Sequence, residues 1–572
     1  MKHFPTETTI DENTVISTWV NLKEELLNKL NSLRLKKLAD MKLEQKAQYN
    51  EGKKKVQALA ELESLLFKGQ GTAMDAANRE LELERMVKDQ RTERFSLPTR
   101  LKRAFATTIR NAAGTSSFFS SYKELRKSTF IAELWDIGNW LEASKSKENH
   151  TAEKGPDNIN EPSKIMEALV KYWGYLYDAK EPELDESENG AVQEMLEKLA
   201  NHKISKAAAH KADAPITLKE IEKALNSLTL GKSCGPDGIP PELYRYHSTS
   251  LARPLLATLN AIHKLGALPD ELNEGDITLL YKKKERCDVR NYRPITLLNT
   301  DHKILTTALA LRLSTAIATH IHPAHTGFLP NRFICDNTHT LNLIQAILED
   351  REDDEAAFLF LDQEKAFDRC AWSAITRGVH ANGFGPYMHR WVSTLYNPAV
   401  PLRRKLKCNG IKSETFMVRC GVAQGDAASP ILYIILMEAL ARMLEDEESL
   451  PGVVIGGKRF KASFYADDTC LILNHPTTEL PIVWKLLARF QLATALKVNV
   501  SKTEGIAIGA LRSGTDHANL PDSHLIEWKK EGEYVVCLGA PIGYNFDMHD
   551  FWMSKYRITV CSRDRKSVVS RL

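Results

Sequence analysis

Apolar and polar positions follow two different periods along this chain, and the change of period divides it. Residues from Thr18 to Ala143 read as helices. In VNLKEELLNKLNSLRLKKLADMKLEQKAQ, Leu22, Leu26, Leu30 and Leu33 recur at helical spacing among Lys and Glu, which predicts an amphipathic helix packed on its neighbours or on a coiled-coil partner. The stretch SKSKENHTAEKGPDNINEP, residues 144–162, is polar and aperiodic and predicts a loop or linker. PSKIMEALVKYWGYLYD returns to a helical period before the acidic segment AKEPELDESENG. From about Pro215 to Gly543, short β-type runs alternate with helices, and no internal repeat occurs. The expected division is a helical region at 1–143, a linker and helical lead-in at 144–214, a mixed domain at 215–545 and a tail at 546–572. The expected fold class is α/β, of the α+β kind.

Composition narrows the picture only a little. A chain of 572 residues suffices for two or three domains, and an apolar fraction of 43% is that of a globular protein. A net charge of +3 argues neither for nor against nucleic acid, so the distribution of charge has to decide. Arg91, Arg94, Arg100, Lys102, Arg103 and Arg110 form a basic stretch that reads either as a nucleic-acid contact or as a solvated face. Nine cysteines without a C-x-x-C pair form neither a disulfide framework nor a zinc site, which suits a reduced, intracellular protein. The N-terminus MKHFPTETTIDE lacks the pattern of a secretory signal. The apolar run Ile431 to Leu444 is too short to span a bilayer and contains Glu438 and Arg442, so a soluble protein with no membrane partner is expected.

Candidate chemistry concentrates in the mixed domain. Phe464-Tyr465-Ala466-Asp467-Asp468-Thr469 lies between KRFKASFY and TCLILN, which predicts two strands joined by a tight turn with the Asp pair at its tip. Adjacent carboxylates repel, and a divalent cation is the usual remedy; the bland alternative is a turn that simply favours Asp. AAFLFL, residues 356–361, reads as a buried strand ending at Asp362, and QEKAFDRCAWSAITRGVHANGF reads as a helix continuing from it. If the two strands are neighbours in one sheet, Asp362, Asp467 and Asp468 converge and could hold two Mg²⁺ ions. In KLKCNGIKSETFMVRCGVAQGDAASPILYIIL, Asn409-Gly410 predicts a hairpin and Ser429-Pro430 a helix start. Gly421 and Gly425 bracket Gln424 there, so the backbone can approach a nucleotide closely. ITLLYKKKERCDVRNYRPITLLNTDHKILTTALALRL predicts a basic hairpin and an amphipathic helix, with Lys282 and Arg293 placed to grip phosphates.

Together the Tyr-Ala-Asp-Asp box, Asp362-Gln-Glu-Lys-Ala-Phe-Asp368, Gln424-Gly425-Asp426 and Asn291-Tyr-Arg-Pro-Ile295 resemble reverse transcriptase motifs in order and spacing. GPDGIPPELYR (235–245), LKVNVSKTEG (496–505) and CLGAPIG (537–543) resemble the flanking blocks of non-LTR (LINE-type) retrotransposon enzymes. The resemblance covers residues 215–545, and residues 114–178 resemble the segment that precedes the polymerase in such elements. It implies a right-hand polymerase with fingers and an antiparallel palm sheet, and an incomplete thumb at 546–572. It implies an RNA-directed DNA polymerase that takes an RNA template, a DNA primer or target and dNTPs, works with two Mg²⁺ ions and resides in the nucleus. Asp362, Asp467 and Asp468 would be the catalytic metal-binding carboxylates. Phe367 matches the gate against a ribose 2′-hydroxyl. Gln424 and Gly425 would line the incoming nucleotide, Lys282 and Arg293 its triphosphate, and Lys502 matches the lysine that protonates the leaving pyrophosphate. Asp368 is read as a helix anchor or a catalytic group, and Asp426 as structural. An RNA polymerase or an intron-type maturase shares the same palm. Ala423 stands where the family usually has Arg, and Ala427-Ala428 where it has Pro-Leu. These departures keep open the alternative of a catalytically weak relic that acts at most by binding nucleic acid.

Overall fold

The computed structural model of the chain describes residues 11–33, 36, 131–135, 158–178, 186–350, 355–513 and 519–555. Most of the expected helical N-terminal region, the basic stretch Arg91 to Arg110 and the tail from 556 onward lie outside these residues. Contacts divide the chain into two compact units, one of Met1–Trp19 with Ala132–Leu572, the other of Val20–Ile131. In the second unit, residues 20–33 are helical (α1). No helix among the described residues is long and apolar enough to cross a membrane.

After a helical stretch at residues 12–19, the larger unit continues with two short strands, β1 (Leu134–Trp135) and β2 (Asn158–Ile159), paired antiparallel. Both correct the sequence expectation of helix and loop; strands of two residues carry no periodicity to be read. Helix α2 (Pro162–Tyr177) starts at a proline, as its sequence predicts, and buries Ile165, Leu169, Tyr172, Trp173, Leu176 and Tyr177 along one side. A run of helices follows: α3 (Glu186–Asn201), α4 (Lys206–Ala212), α5 (Leu218–Ser227), α6 (Pro241–Tyr246), α7 (Ser248–Leu265) and α8 (Asp270–Asn273). Thr217 and Glu220 close a capping box at the start of α5. The alternation of strand and helix therefore begins only at residue 274, not at 215.

Strand β3 (Glu274–Tyr281) pairs antiparallel with β4 (Tyr292–Leu298), which leads into α9 (Thr300–Ile317), and α10 spans Ile334–Glu349. Next comes β5 (Glu355–Leu361), whose apolar residues are buried along nearly its whole length. The segment after Asp362 is not one helix. It forms α11 (Ala366–Arg369), breaks at Cys370 and Ala371, and resumes as α12 (Trp372–Ala381). The Ala371 N–H donates to the Thr494 carbonyl and the Glu364 N–H to the Lys497 carbonyl, so tertiary partners divert the backbone. After α13 (Pro386–Leu395), β6 (Leu402–Cys408) turns through Asn409 (φ 52°) and Gly410 (φ 86°) into β7 (Ile411–Lys412), and β8 (Phe416–Val418) also pairs with β6. That turn is the predicted Asn-Gly hairpin. Helix α14 (Ser429–Asp446) is buried on nearly all sides.

The last third contains β9 (Val453–Ile455), β10 (Lys458–Phe460), β11 (Ala462–Tyr465), β12 (Asp468–Leu473), α15 (Pro476–Thr494), β13 (Glu504–Gly509), α16 (Ala510–Ser513), β14 (Glu527–Trp528), β15 (Tyr534–Cys537) and β16 (Ala540–Gly543). One sheet has the order β11-β12-β5-β13-β14, the other β4-β3-β6-β7. β5 is the centre of the first, antiparallel to β12 and β13. Leu341, Ile344 and Leu348 of α10 pack with Phe358, Ile472, Ile506, Ile508, Val535 and Ile542 in one apolar cluster. Each such side chain contributes about 1.5–3 kcal/mol when fully buried, which fixes the register of the strands that carry the acids.

Candidate functional site

Register places the acids. The last β5–β12 pair is Leu361 opposite Thr469, so Asp362 and Asp468 emerge one residue further on at the same end of the sheet. Tyr465 pairs with Asp468, which closes a two-residue turn of Ala466 and Asp467 with Ala466 at φ 54°. The turn is held from below. The Phe464 N–H donates to the Ala324 carbonyl at 2.9 Å, and the Thr326 N–H to the Phe464 carbonyl at 3.0 Å. Asn337 Nδ2 donates to Ser463 Oγ at 2.7 Å and to the Phe464 carbonyl at 3.1 Å. Gly327 lies against the turn so closely that a Cβ there would sit 2.9 Å from the Ala466 nitrogen. The Asn499 N–H donates to the Asp362 carbonyl at 2.7 Å, and this brings Lys502 Nζ to 2.7 Å from Asp362 Oδ2.

The charges interact. Burial, then repulsion from Asp467 and Asp362, pushes the Asp468 carboxyl up to about 6. Burial also raises Asp467, with Lys282 and Arg293 pulling it down. Both side chains keep solvent-accessible surface, so screening limits what these shifts cost. Burial and the neighbouring Arg293 lower Lys282, while Asp362 raises it. Thus Asp362, Asp467, Asp468, Lys282, Arg293 and Lys502 share one electrostatic neighbourhood. Hard oxygen donors that resist ionising together suit a divalent ion such as Mg²⁺. Among the described residues no three His, Cys, Asp or Glu side chains are yet arranged to hold a metal ion. Asp362 instead takes the Lys502 ammonium.

A second group stands beside the acids. The Phe367 ring stacks on Tyr433, with centroids 4.8 Å apart and planes at 14°, and Tyr433 Oη donates to Gln363 Oε1 at 2.5 Å. Gln424 Nε2 donates to Asp368 Oδ2 at 3.1 Å and Oδ1 at 3.3 Å. Gly421 takes φ 79°, and a Cβ there would fall 2.6 Å from the Asp368 carbonyl oxygen. Gly425 takes φ 112°, and the Gln424 carbonyl accepts from the Thr296 N–H of β4 at 2.9 Å. Asp368 is buried, and burial pushes it up to about 6 against the pull of Tyr177, Lys365 and Gln424. Asp426 is buried beside His302. Sequence reasoning missed Tyr177, Lys365 and Tyr433. Lys365 Nζ donates to the Arg290 and Tyr292 carbonyls at 2.9 and 3.1 Å, and its φ of 52° turns the chain into α11. Only the tyrosine inside the otherwise apolar run ILYIILM offered a signal for Tyr433.

All nine predicted site residues fall between 281 and 537, and these residues match the family described as "Reverse transcriptase (RNA-dependent DNA polymerase)". This part of the chain is similar to reverse transcriptase domains. The chain is 30% identical over 352 residues to the "Transposon TX1 uncharacterized 149 kDa protein" of Xenopus laevis, covering 60% of this chain and 26% of that protein. It is 26% identical over 355 residues to the "Retrovirus-related Pol polyprotein from type-2 retrotransposable element R2DM" of Drosophila melanogaster, covering 62% and 31%. It is 24% identical over 262 residues to the "RNA-directed DNA polymerase from mobile element jockey" of Drosophila funebris, covering 45% and 27%. These relatives are all named for transposable elements, and the matched stretch spans about a quarter to a third of their length.

Proposed function

We propose that the chain transfers a nucleotidyl group from a dNTP to the 3′-hydroxyl of a DNA primer, copying an RNA template. In this reading the sheet that carries the three acids is the palm of a right-hand polymerase, and the β3–β4 hairpin belongs to its fingers. The observation that carries it is the meeting of Asp362 and Asp468 at one sheet end within the field of Lys282 and Arg293. Two Mg²⁺ ions held by Asp362, Asp467 and Asp468 would lower the pKa of the primer hydroxyl and stabilise charge on the leaving pyrophosphate. Lys282 and Arg293 hold the triphosphate through charge-assisted hydrogen bonds. Gly425 lets the backbone approach the nucleotide, Gln424 lines it, and the Phe367 ring takes the space a 2′-hydroxyl needs. Lys502 carries on Nζ the proton that the departing pyrophosphate takes up. A nuclear setting follows from a DNA target.

The test is primer extension on poly(rA)/oligo(dT) with dTTP and Mg²⁺. Asp467→Asn should lower extension roughly a thousandfold, the several kcal/mol that a held cation contributes. Near-normal extension by the purified variant would remove the carboxylates from the reaction. Ala423, Ala427 and Ala428 favour a second reading, a nucleic-acid-binding relic; wild-type protein that binds the primer–template and extends nothing would establish it.

A further inference from the structure

The nucleotide side of the site leans on a helix that lies outside the residues matching the reverse transcriptase family. Tyr177, the last residue of α2, donates from Oη to Asp368 Oδ1 at 2.7 Å, across 191 positions of sequence. Both residues are buried. Asp368 in turn accepts from Gln424 Nε2. A carboxylate offers only acceptors, so it holds the NH₂ end of the Gln424 amide and turns Oε1 the other way. Without such a partner the amide can flip and present the wrong group.

The backbone repeats the connection. The Arg419 N–H donates to the Tyr177 carbonyl at 2.8 Å, and Arg419 Nε pairs with Asp178 Oδ1 at 3.1 Å. Two residues on, the Gly421 N–H donates to the Cys370 carbonyl at 2.8 Å, and the Val422 N–H to the Phe367 carbonyl at 2.7 Å. The end of α2, the Phe367–Asp368 turn and the glycine-bracketed loop therefore form one clamp. Lys365, beside this turn, places its ammonium 4.9 Å from the centroid of the Trp173 ring of the same helix.

We infer that Tyr177 is a positioning residue for nucleotide binding: acting through Asp368, it orients the Gln424 amide and steadies the backbone of Phe367. The inference rests on the polymerase function proposed above. Loss of the hydrogen bond that holds the Asp368 carboxylate should raise the KM for dTTP about tenfold in Tyr177→Phe. The kcat should stay within about twofold, the pattern of lost binding. The phenyl ring keeps its stack on Trp173, with centroids 5.9 Å apart, so the fold should survive.

The experiment measures steady-state extension of poly(rA)/oligo(dT) by the full chain with dTTP, for wild type, Tyr177→Phe, Gln424→Ala and the double variant. Leu169→Ala, which truncates a buried residue of α2 away from Asp368, reports merely structural damage. The expected result is a raised KM in Tyr177→Phe, none beyond that of Gln424→Ala in the double variant, and a lower melting temperature without a selective KM change in Leu169→Ala. An active wild type with an unchanged KM in Tyr177→Phe, a Tyr177→Phe effect that simply adds to that of Gln424→Ala, or the same kinetic pattern in Leu169→Ala would overturn the inference alone. A wild type that extends no primer would overturn the proposed function, and the inference with it.

Discussion

Phe367→Ala separates the packing of one ring from the gate role proposed for it. The ring is half-buried and stacks on Tyr433, which is itself anchored to Gln363. Truncating a fully buried Phe costs about 3–5 kcal/mol, so a half-buried ring with one stacked partner puts about 2 kcal/mol of stability at stake. The role proposed for it is to refuse a hydroxyl. One group accepted or refused by an apolar wall is worth about 1–3 kcal/mol, so discrimination should fall about tenfold to hundredfold. The assay is kcat/KM for dUTP and for UTP on poly(rA)/oligo(dT), because these substrates differ only at the 2′ position. Use of dUTP should change less than the ratio does. Melting of the same preparation reads the stability loss independently. An unchanged dUTP/UTP ratio with a lowered melting temperature would show that Phe367 is a packing residue and nothing more.

Two further perturbations address the charges. Lys502 and Asp362 are each well exposed, at 45% and 38%, so Lys502→Gln should alter stability by less than about 1 kcal/mol while losing a proton donor lowers kcat about a hundredfold; unaltered extension would remove Lys502 from the reaction. Arg312 is buried, with Nε and Nη2 on Glu220 at 2.6 and 2.7 Å and Nη2 on the Pro215 carbonyl at 2.8 Å, so Arg312→Met should cost about 3–5 kcal/mol in urea unfolding. Burial raises the Glu220 carboxyl, but hydrogen bonds from Arg312 and Thr217 outweigh it and bring the group down to about 2. A lowered carboxyl stabilises above its ordinary pKa of 4.5, and that part, about 1–2 kcal/mol after solvent screening, is lost as pH falls through 2. The gap between wild type and variant should therefore narrow from pH 7 to pH 2.5, and a constant gap would refute the assignment.

What the sequence disclosed about this site was local. The Asp467–Asp468 hairpin, the β5 strand ending at Asp362 and the Asn409–Gly410 turn each follow from a few neighbouring residues whose period or turn chemistry is unambiguous. The break after Arg369 was not legible. The residues around it have the composition of a helix, and what stops them is the non-helical backbone of Cys370 and the hydrogen bond from the Ala371 N–H to the Thr494 carbonyl, more than a hundred positions away. Asp368 was open to two readings for the same reason. Its partners Tyr177 and Gln424 come from opposite sides in sequence, and no spacing rule links them. The glycines Gly421 and Gly425 were legible as permissive positions, and the contacts with Asp368 and Thr296 supply the reason they are needed.

The stretch similar to reverse transcriptases is therefore not the physical unit that makes the site. Residues 281–537 contain every acid and base assigned above, yet two of their buried carboxylates take partners from elsewhere. Asp301, at the start of α9, accepts from Trp19 Nε1 at 3.0 Å, and Asp368 accepts from Tyr177. A buried acceptor stripped of its donor costs about 1–3 kcal/mol, more when charged, and each of the six residues that α2 buries contributes about 1.5–3 kcal/mol of apolar burial when fully enclosed. The chemistry can be located from a few motifs because it needs particular atoms at particular strand ends. Holding those atoms in place draws on helices that share no motif with them, and Tyr177 is where that support reaches Asp368 and, through it, Gln424.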